Sequence, residues 1–333
     1  MAVALLLIIL ICTALSYLPV RRADMTHATV IVECRSGYAL SIDGRDVLFF
    51  HGIAADSTFT DVSTDSTQAE HVSLSAGVWV DRWPVIPSCK GLLLTHTTVN
   101  DERKMAERVS QNLKLALEKE ADALRKEEKA CKHEAAELRY YLSVHGVQDE
   151  GFNAISKYAM KVSHRLDSVQ RTLKAIESIK PDAKADVRQT LRFTVIMNDG
   201  KGKTFRKPCR LLTERDGRGF ALLQTSDKTT PGTAHPVYMH RLMAWHGSKG
   251  DIVFIPSFSG MGRESFDPGT AESHISPALL KTDTGKEAAH TLPKLLAPDG
   301  SPVFSQGGHL LGVSHEGKVV SENEFGELFR NIK

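Results

Sequence analysis

The chain has 333 residues, of which 41% are apolar and 25% are charged, and this composition is typical of a folded protein rather than a disordered one. Its 42 basic and 40 acidic side chains nearly cancel and leave a net charge of +2. A charge this well balanced gives no reason to expect a basic surface for nucleic acid, so we expect no nucleic-acid partner.

Residues 2–20 are almost continuously apolar and are followed by Arg21 and Arg22. A helix needs about 20 such residues to cross a bilayer. We therefore predict a transmembrane anchor within residues 1–22, with a cleaved signal sequence as the alternative. By the positive-inside rule the two arginines would place the following chain in the cytoplasm, although two charges are weak evidence for an orientation.

From residue 28 to residue 100 the sequence consists of short apolar runs separated by turn residues. Asp43-Gly44 lies between two of these runs, which is typical of a β-hairpin. Many short runs with frequent turns predict antiparallel strands in a sandwich or barrel. The runs cover residues 29–32, 38–42, 47–50, 72–74, 78–80 and 92–94.

The pattern changes at Asp101, where a stretch without Gly or Pro begins and continues to about Val144. Glu, Lys, Ala and Leu dominate it, which predicts a long helix. After a break at residues 145–151, a second helical run ends before Pro181. Both runs have heptad repeats, so we predict an antiparallel coiled-coil hairpin over residues 101–181. The heptad positions are Leu117, Leu124, Cys131 and Leu138, then Phe152, Ile155, Ala159, Val162, Leu166, Val169, Leu173 and Ile176.

The sequence leaves two interpretations of the hairpin's role open. It is either a spacer or an arm that binds a partner protein or a second copy of the chain. After it the β pattern resumes, and the polar residues 226–236 separate two further sets of strands. The predicted domains are thus a first barrel formed by residues 28–100 and 190–226, and a second barrel formed by residues 235–333.

The five cysteines and 14 histidines form no local metal-binding motif. The cysteines lack CxxC spacing, and the histidines lack HxH, HxxxH and HExxH spacing. We therefore predict no metal and no cofactor. We expect the cysteines to be free or buried thiols. The alternative is a single disulfide between Cys34 and Cys89, which could form if the protein lies in an oxidising compartment.

Three stretches resemble, in chain order, the segments that carry the histidine, the acid and the serine of trypsin-like serine peptidases of the bacterial Deg type. They are Gly91-Leu92-Leu93-Leu94-Thr95-His96-Thr97-Thr98-Val99, then Phe220-Ala221-Leu222-Leu223, and finally Pro298-Asp299-Gly300-Ser301-Pro302-Val303. The resemblance implies a mainly β fold with two six-stranded barrels, the first interrupted by the helical hairpin. It also implies a soluble part outside the cytoplasm, in the periplasm, with the cytoplasmic orientation left open.

The same alignment places Thr98, Gly219 and Asp299 at the positions of the catalytic histidine, acid and serine. Threonine does not titrate near neutral pH, glycine has no carboxylate, and an aspartate would put negative charge where the oxyanion forms. We therefore expect no catalytic residue and no peptidase activity. The expected role is a scaffold or regulator that binds a protein or peptide through the barrel cleft or the hairpin.

Two alternatives remain at this stage. His96, Asp216 and Ser301 have the right side chains and lie close to the three positions, which would make the chain an active serine endopeptidase. However, a shift of two residues moves a strand side chain by about 6–7 Å, whereas a triad needs contacts of about 3 Å. The second alternative is that the hairpin is a coiled-coil oligomerisation module and the protein a homo-oligomer.

Overall fold

The computed structural model describes residues 19–54, 58–80, 90–97, 102–180, 185–198, 203–215, 219–239, 246–258, 260–261, 263–285, 287–326 and 328–329, with the backbone alone at 102–110 and 215. The predicted membrane span, apart from its last two residues, lies outside these ranges. So do Cys89 of the candidate disulfide and the predicted site residues Thr98 and Asp216. Within the described ranges the protein is mainly β, with three α-helices.

The first sheet contains seven strands in the order β2-β1-β5-β6-β9-β8-β7, and β1 also pairs with β7. This additional pairing closes six of the strands into a barrel, so the predicted barrel is confirmed. The strands are β1 (Thr29–Ile42), β2 (Arg45–Phe50), β5 (His71–Trp79), β6 (Leu92–His96), β7 (Ala185–Asn198), β8 (Thr204–Arg215) and β9 (Phe220–Thr225). The short strands β3 (Gly52–Ile53) and β4 (Phe59–Thr60) pair with each other.

The second sheet has six strands in the order β11-β10-β13-β14-β15-β12. An isolated antiparallel bridge between Leu280 and His290 joins the ends of its two edge strands, β11 and β12. Its strands are β10 (Ile252–Phe258), β11 (Ser273–Leu279), β12 (Glu287–Ala289), β13 (Pro302–Ser305), β14 (Leu310–His315) and β15 (Lys318–Ser321). A short 3-10 helix, Glu322–Phe325, follows the last strand.

The helical insertion consists of α2 (Glu102–Val144) and α3 (Phe152–Glu177). The two helices run antiparallel, because Arg125 of α2 binds Glu177 whereas Glu134, farther along α2, binds Tyr158 near the start of α3. All twelve heptad positions predicted from the sequence are buried or partly buried, so the predicted seam is the inner face of the hairpin. Supercoiling of the two helices stays a prediction.

A short helix, α1 (Arg22–Ala28), precedes β1 and was not expected from the sequence. Its Met25 and Ala28 are buried in the core, and just before it the Val20 N–H donates to the Gly308 carbonyl at 2.9 Å. Seven residues are too few to show a hydrophobic periodicity, so this helix forms because of its tertiary packing rather than a local sequence pattern. None of the helices in the described ranges combines the length and the apolar character needed to cross a bilayer.

By its contacts the chain divides into two compact units. The first unit comprises Met1–Cys34, Val72–Thr98 and Arg192–Lys333, and the second comprises Arg35–His71 and Val99–Leu191. In the first unit, one core cluster joins residues of both sheets, including Leu94, Phe220, Phe304 and Val313. The domain boundaries predicted from the sequence stay predictions.

Candidate functional site

Two strand ends and one turn of the first unit meet at a small polar cluster. His96 is the last residue of β6, His315 is the last residue of β14, and Asp299 lies in the turn that enters β13. The rings of His96 and His315 stack, with centroids 4.4 Å apart and planes inclined by 28°. Phe220 directs its edge at both rings from 5.5 Å, so the two imidazoles are held in place by an aromatic neighbour.

The carboxylate of Asp299 is fixed by two partners. Its Oδ1 accepts the backbone N–H of Glu316 at 2.8 Å, and its Oδ2 pairs with Lys294 Nζ at 2.8 Å. Burial raises the pKa of Asp299, but the hydrogen bonds from Lys294 and Glu316 and the charges of Lys294 and His96 outweigh this effect. The pKa therefore lies below its ordinary value, and Asp299 is a carboxylate at neutral pH.

His96 is the most buried member of the cluster, with 7% of its surface exposed. Burial, followed by the charge of His315, lowers its pKa to about 4, although Asp299 acts in the opposite direction. The ring is therefore a neutral imidazole at pH 7, with one nitrogen lone pair available to a proton donor or a metal ion.

Gly219, the predicted acid position, lies directly against His96. A Cβ atom at this position would lie 2.6 Å from the Thr97 carbonyl oxygen and 2.8 Å from His96 Nε2. The Gly219 φ of 68° is also in the left-handed region that favours glycine. The structure thus brings His96, Gly219 and Asp299 to one place, but it leaves no room for a carboxylate at 219.

Ser301 belongs to the turn beneath the cluster rather than to its surface. The residue is 0% exposed, and its Oγ has no hydrogen-bond partner in the described part of the chain. Its backbone carbonyl accepts the Ser314 N–H at 2.7 Å, which ties the turn to β14. The preceding Gly300 is required, because a Cβ there would lie 1.9 Å from the Ala76 carbonyl oxygen.

Two members of the site were missed by the sequence reasoning, His315 and Lys294. His315 follows the Leu311-Gly312-Val313 run, so its place at the end of the strand that returns from the turn was the available signal. Ligand atoms of His96, Asp299 and His315 lie within 4.8 Å of one another, so these three residues could hold a metal ion. Thr98 and Asp216, also predicted for this site, lie outside the described residues.

A shallow polar groove lies beside the carboxylate of Asp299. Its wall includes Lys294, which pairs with Asp299, and Glu316, whose backbone N–H binds Asp299. His290 also lines the groove and lies within hydrogen-bond distance of Ser314 Oγ, at 3.2 Å. The other lining residues are Lys281, Thr291, Leu292, Pro293 and Gly317.

No family model matches the chain, and no curated protein matches it significantly. Among solved structures the chain is similar to Deg5, with 8% identity, 93% of each chain covered and a TM-score of 0.40. It is also similar to an inactive mutant form of Rv3671c from M. tuberculosis H37Rv, with 9% identity, 92% of this chain and 87% of the other covered, and a TM-score of 0.36. A third is the HtrA-type protease AlgW with a decapeptide, at 9% identity, 92% and 66% coverage and a TM-score of 0.34.

Two of these neighbours, Deg5 and the HtrA-type protease AlgW, belong by name to the group that the three sequence stretches resemble. Their identities and TM-scores are too low to carry an argument about the chemistry of this chain. The function therefore has to be argued from the geometry of the cluster.

Proposed function

We propose that the protein has a trypsin-like peptidase fold, is catalytically inactive, and acts as a membrane-anchored scaffold that binds another protein. One observation carries the inactivity: within the described residues, no hydroxyl or thiol hydrogen-bonds to the ring of His96 or of His315. Acyl transfer by a serine peptidase needs a nucleophile within hydrogen-bond reach of its base. The only nearby serine that the sequence offered, Ser301, has a buried side chain.

The charge of the site supports the same proposal. Asp299 occupies the predicted nucleophile position as a carboxylate that is held by Lys294. An anion at this place would oppose the negative charge that develops on a substrate carbonyl during peptide cleavage. His96, with its lowered pKa, lacks a carboxylate at position 219 to fix its tautomer and orientation.

Labelling with a fluorophosphonate probe tests the inactivity. We expect the wild-type protein to remain unlabelled at neutral pH, because within the described residues no serine hydroxyl hydrogen-bonds to the ring of His96 or His315. Ser301→Ala tests the alternative, and Ser305→Ala, four residues along and partly buried, is its matched control. Labelling that is lost in Ser301→Ala and retained in Ser305→Ala would show that the displaced set of His96, Asp216 and Ser301 is an active endopeptidase.

The helical hairpin supports the binding part of the proposal. Tyr140, Val144 and Val147 lie at the end of the hairpin, and all three have exposed side chains. Large apolar side chains that cluster at the surface mark sites of protein contact more often than isolated ones do. The proposed coiled-coil hairpin would therefore present this end to the apolar surface of a partner protein.

A photo-crosslinking amino acid placed at Val147 in the cells of origin tests this contact. We expect one discrete cross-linked product at position 147 and none at Gly250, an exposed turn residue of the first unit that serves as the control. A product that contains two copies of the chain would favour the oligomerisation module instead. Equal, diffuse products at both positions would contradict a specific binding site.

The apolar residues 2–20 support the proposed membrane anchor. Extraction of membranes with alkaline carbonate should leave the protein in the membrane fraction if these residues span the bilayer, whereas release would contradict the anchor. Protease treatment of intact spheroplasts would then distinguish the proposed periplasmic orientation, in which the soluble part is degraded, from the cytoplasmic one.

A further inference from the structure

Three side chains that no sequence motif connects are arranged as a metal-binding site. We propose that His96, Asp299 and His315 together bind one divalent transition-metal ion, and that Zn²⁺ is the ion that this ligand set fits. Two imidazoles and one carboxylate bind zinc in sites that keep one coordination position open. Calcium and magnesium prefer oxygen ligands, so a site with two imidazoles disfavours both.

The distances are close to those of a bound zinc ion. Zinc–ligand bonds of about 2.0–2.2 Å place neighbouring ligand atoms about 3.3 Å apart around a tetrahedral ion. His315 Nδ1 already lies 3.7 Å from Asp299 Oδ1, and the ligand atoms of all three residues lie within 4.8 Å of one another. Side-chain movements of about 1.5 Å or less therefore complete the site.

The stacking of the two rings shows how far the pair has to move to share an ion. Around a tetrahedral ion, zinc–nitrogen bonds of about 2.0–2.1 Å place the centroids of two bound imidazoles about 5.2 Å apart. The His96 and His315 centroids are 4.4 Å apart. Binding therefore requires the pair to open by about 0.8 Å and one ring to turn, so that the lone pairs in the two ring planes converge on the ion.

The nitrogens of both rings have no hydrogen-bond partner in the described part of the chain. His315 Nδ1 is buried and accepts or donates no hydrogen bond there. The His96 ring is 7% exposed and has only ring contacts and electrostatic neighbours among the described residues. Buried polar atoms without a partner are rare in folded proteins and call for an explanation. A metal ion would give His315 Nδ1 such a partner.

Neighbouring groups hold the three ligands in position. Lys294 and the backbone N–H of Glu316 fix the Asp299 carboxylate, and Phe220 packs its edge against both imidazoles. Such outer contacts orient metal ligands and raise affinity. The His315 side chain is 24% exposed, so the site opens to solvent on that side and leaves a position for a water molecule or a substrate group.

Titration of the full-length, tag-free protein with Zn²⁺ after treatment with a chelator tests the proposal, with calorimetry as the readout. We expect one strong site per chain and a rise in the thermal unfolding midpoint on addition of Zn²⁺. Asp299→Asn and His315→Phe should each lower the affinity by at least about 100-fold, since each removes a ligand rather than an outer contact. His133→Gln changes an exposed histidine on α2 and should bind as the wild type does.

Co²⁺ provides a second readout that reports directly on coordination. The visible absorption of four-coordinate Co²⁺ should appear with the wild-type protein and be absent with His315→Phe, which keeps an aromatic ring beside Phe220. Circular dichroism of each variant verifies that it is folded. The proposal is overturned if the wild type shows no strong site, or if Asp299→Asn and His315→Phe bind Zn²⁺ as tightly as the wild type. The fluorophosphonate experiment is independent of both results.

Discussion

Gly219, the predicted acid position, illustrates at the scale of one residue what the structure adds to the sequence. The resemblance to peptidases suggested a lost acid at this position, which by itself is a chemical change. The structure adds a steric reason, because the Thr97 carbonyl and His96 Nε2 occupy the space that any side chain at 219 would need. Restoring an acid here would therefore require His96 to move.

Substitution of Gly219 by alanine should lower the free energy of unfolding by about 2–4 kcal/mol. About 1–2 kcal/mol comes from the left-handed backbone, and the remainder comes from overpacking against Thr97 and His96. Gly250→Ala is the matched control, because Gly250 has a φ of 93° but nothing within 4 Å of its Cβ position. Urea denaturation measures both variants. If Gly219→Ala and Gly250→Ala lose the same unfolding free energy, His96 and Thr97 move aside without destabilising the protein.

The helical hairpin is the element for which sequence and structure agree in most detail. Its heptad residues form the inner face, and α3 contributes Val169 and Leu173 to a core that also contains Leu48 and Phe50 of β2. This agreement has a physical cause, because both the heptad repeat and the helical period are local properties that a sequence displays directly. The charged outer face adds ion pairs such as Arg165 with Glu127, which contribute little to stability at exposed positions.

Leu124→Ala should lower the free energy of unfolding of the hairpin by about 2–4 kcal/mol, because it leaves a cavity in the seam. Leu115→Ala is the control on the same helix, since Leu115 is 48% exposed and its loss should cost less than about 0.5 kcal/mol. Urea unfolding followed by circular dichroism at the helical minimum compares the two. A larger loss of unfolding free energy for Leu115→Ala than for Leu124→Ala would show that the buried face of α2 contains Leu115 rather than Leu124.

At the scale of the whole molecule, buried histidines link stability to pH. Burial, nearly complete at His96 and His290 and partial at His51 and His309, is the main cause that lowers their pKa values, so all four are neutral in the folded protein at pH 7. In the unfolded chain a histidine has a pKa of about 6.5. Below that pH the unfolded state binds more protons than the folded state, so acid favours unfolding.

The free energy of unfolding should therefore change little near about pH 7 and fall progressively between pH 6.5 and pH 5. Urea midpoints measured across this range in the presence of a chelator test the prediction. His290→Gln keeps a polar side chain near Ser314 and should reduce the slope, because one buried titrating group is removed. A midpoint that does not change from pH 7 to pH 5 would contradict the burial of these rings.

The sequence predicted the elements whose signals are local. Apolar runs separated by turns predicted the strands, and the heptads predicted the inner face of α2 and α3. The short helix α1 was missed because its seven residues depend on the packing of Met25 and Ala28 rather than on a periodic pattern. The order of the three peptidase-like stretches also indicated that residues near His96, Gly219 and Asp299 would meet.

The sequence alone thus determined a mainly β chain with a long helical hairpin, and it predicted that three positions lack the usual histidine, acid and serine. Only the tertiary structure decided that position 219 has no space for a side chain, that Ser301 is buried, and that His315 joins His96 and Asp299. These three residues are separated by 203 and 16 positions along the chain, so no spacing rule could connect them. His96 lies in one sheet and His315 in the other, and packing of the two sheets on a shared core brings them together, so the cluster exists only in the folded protein.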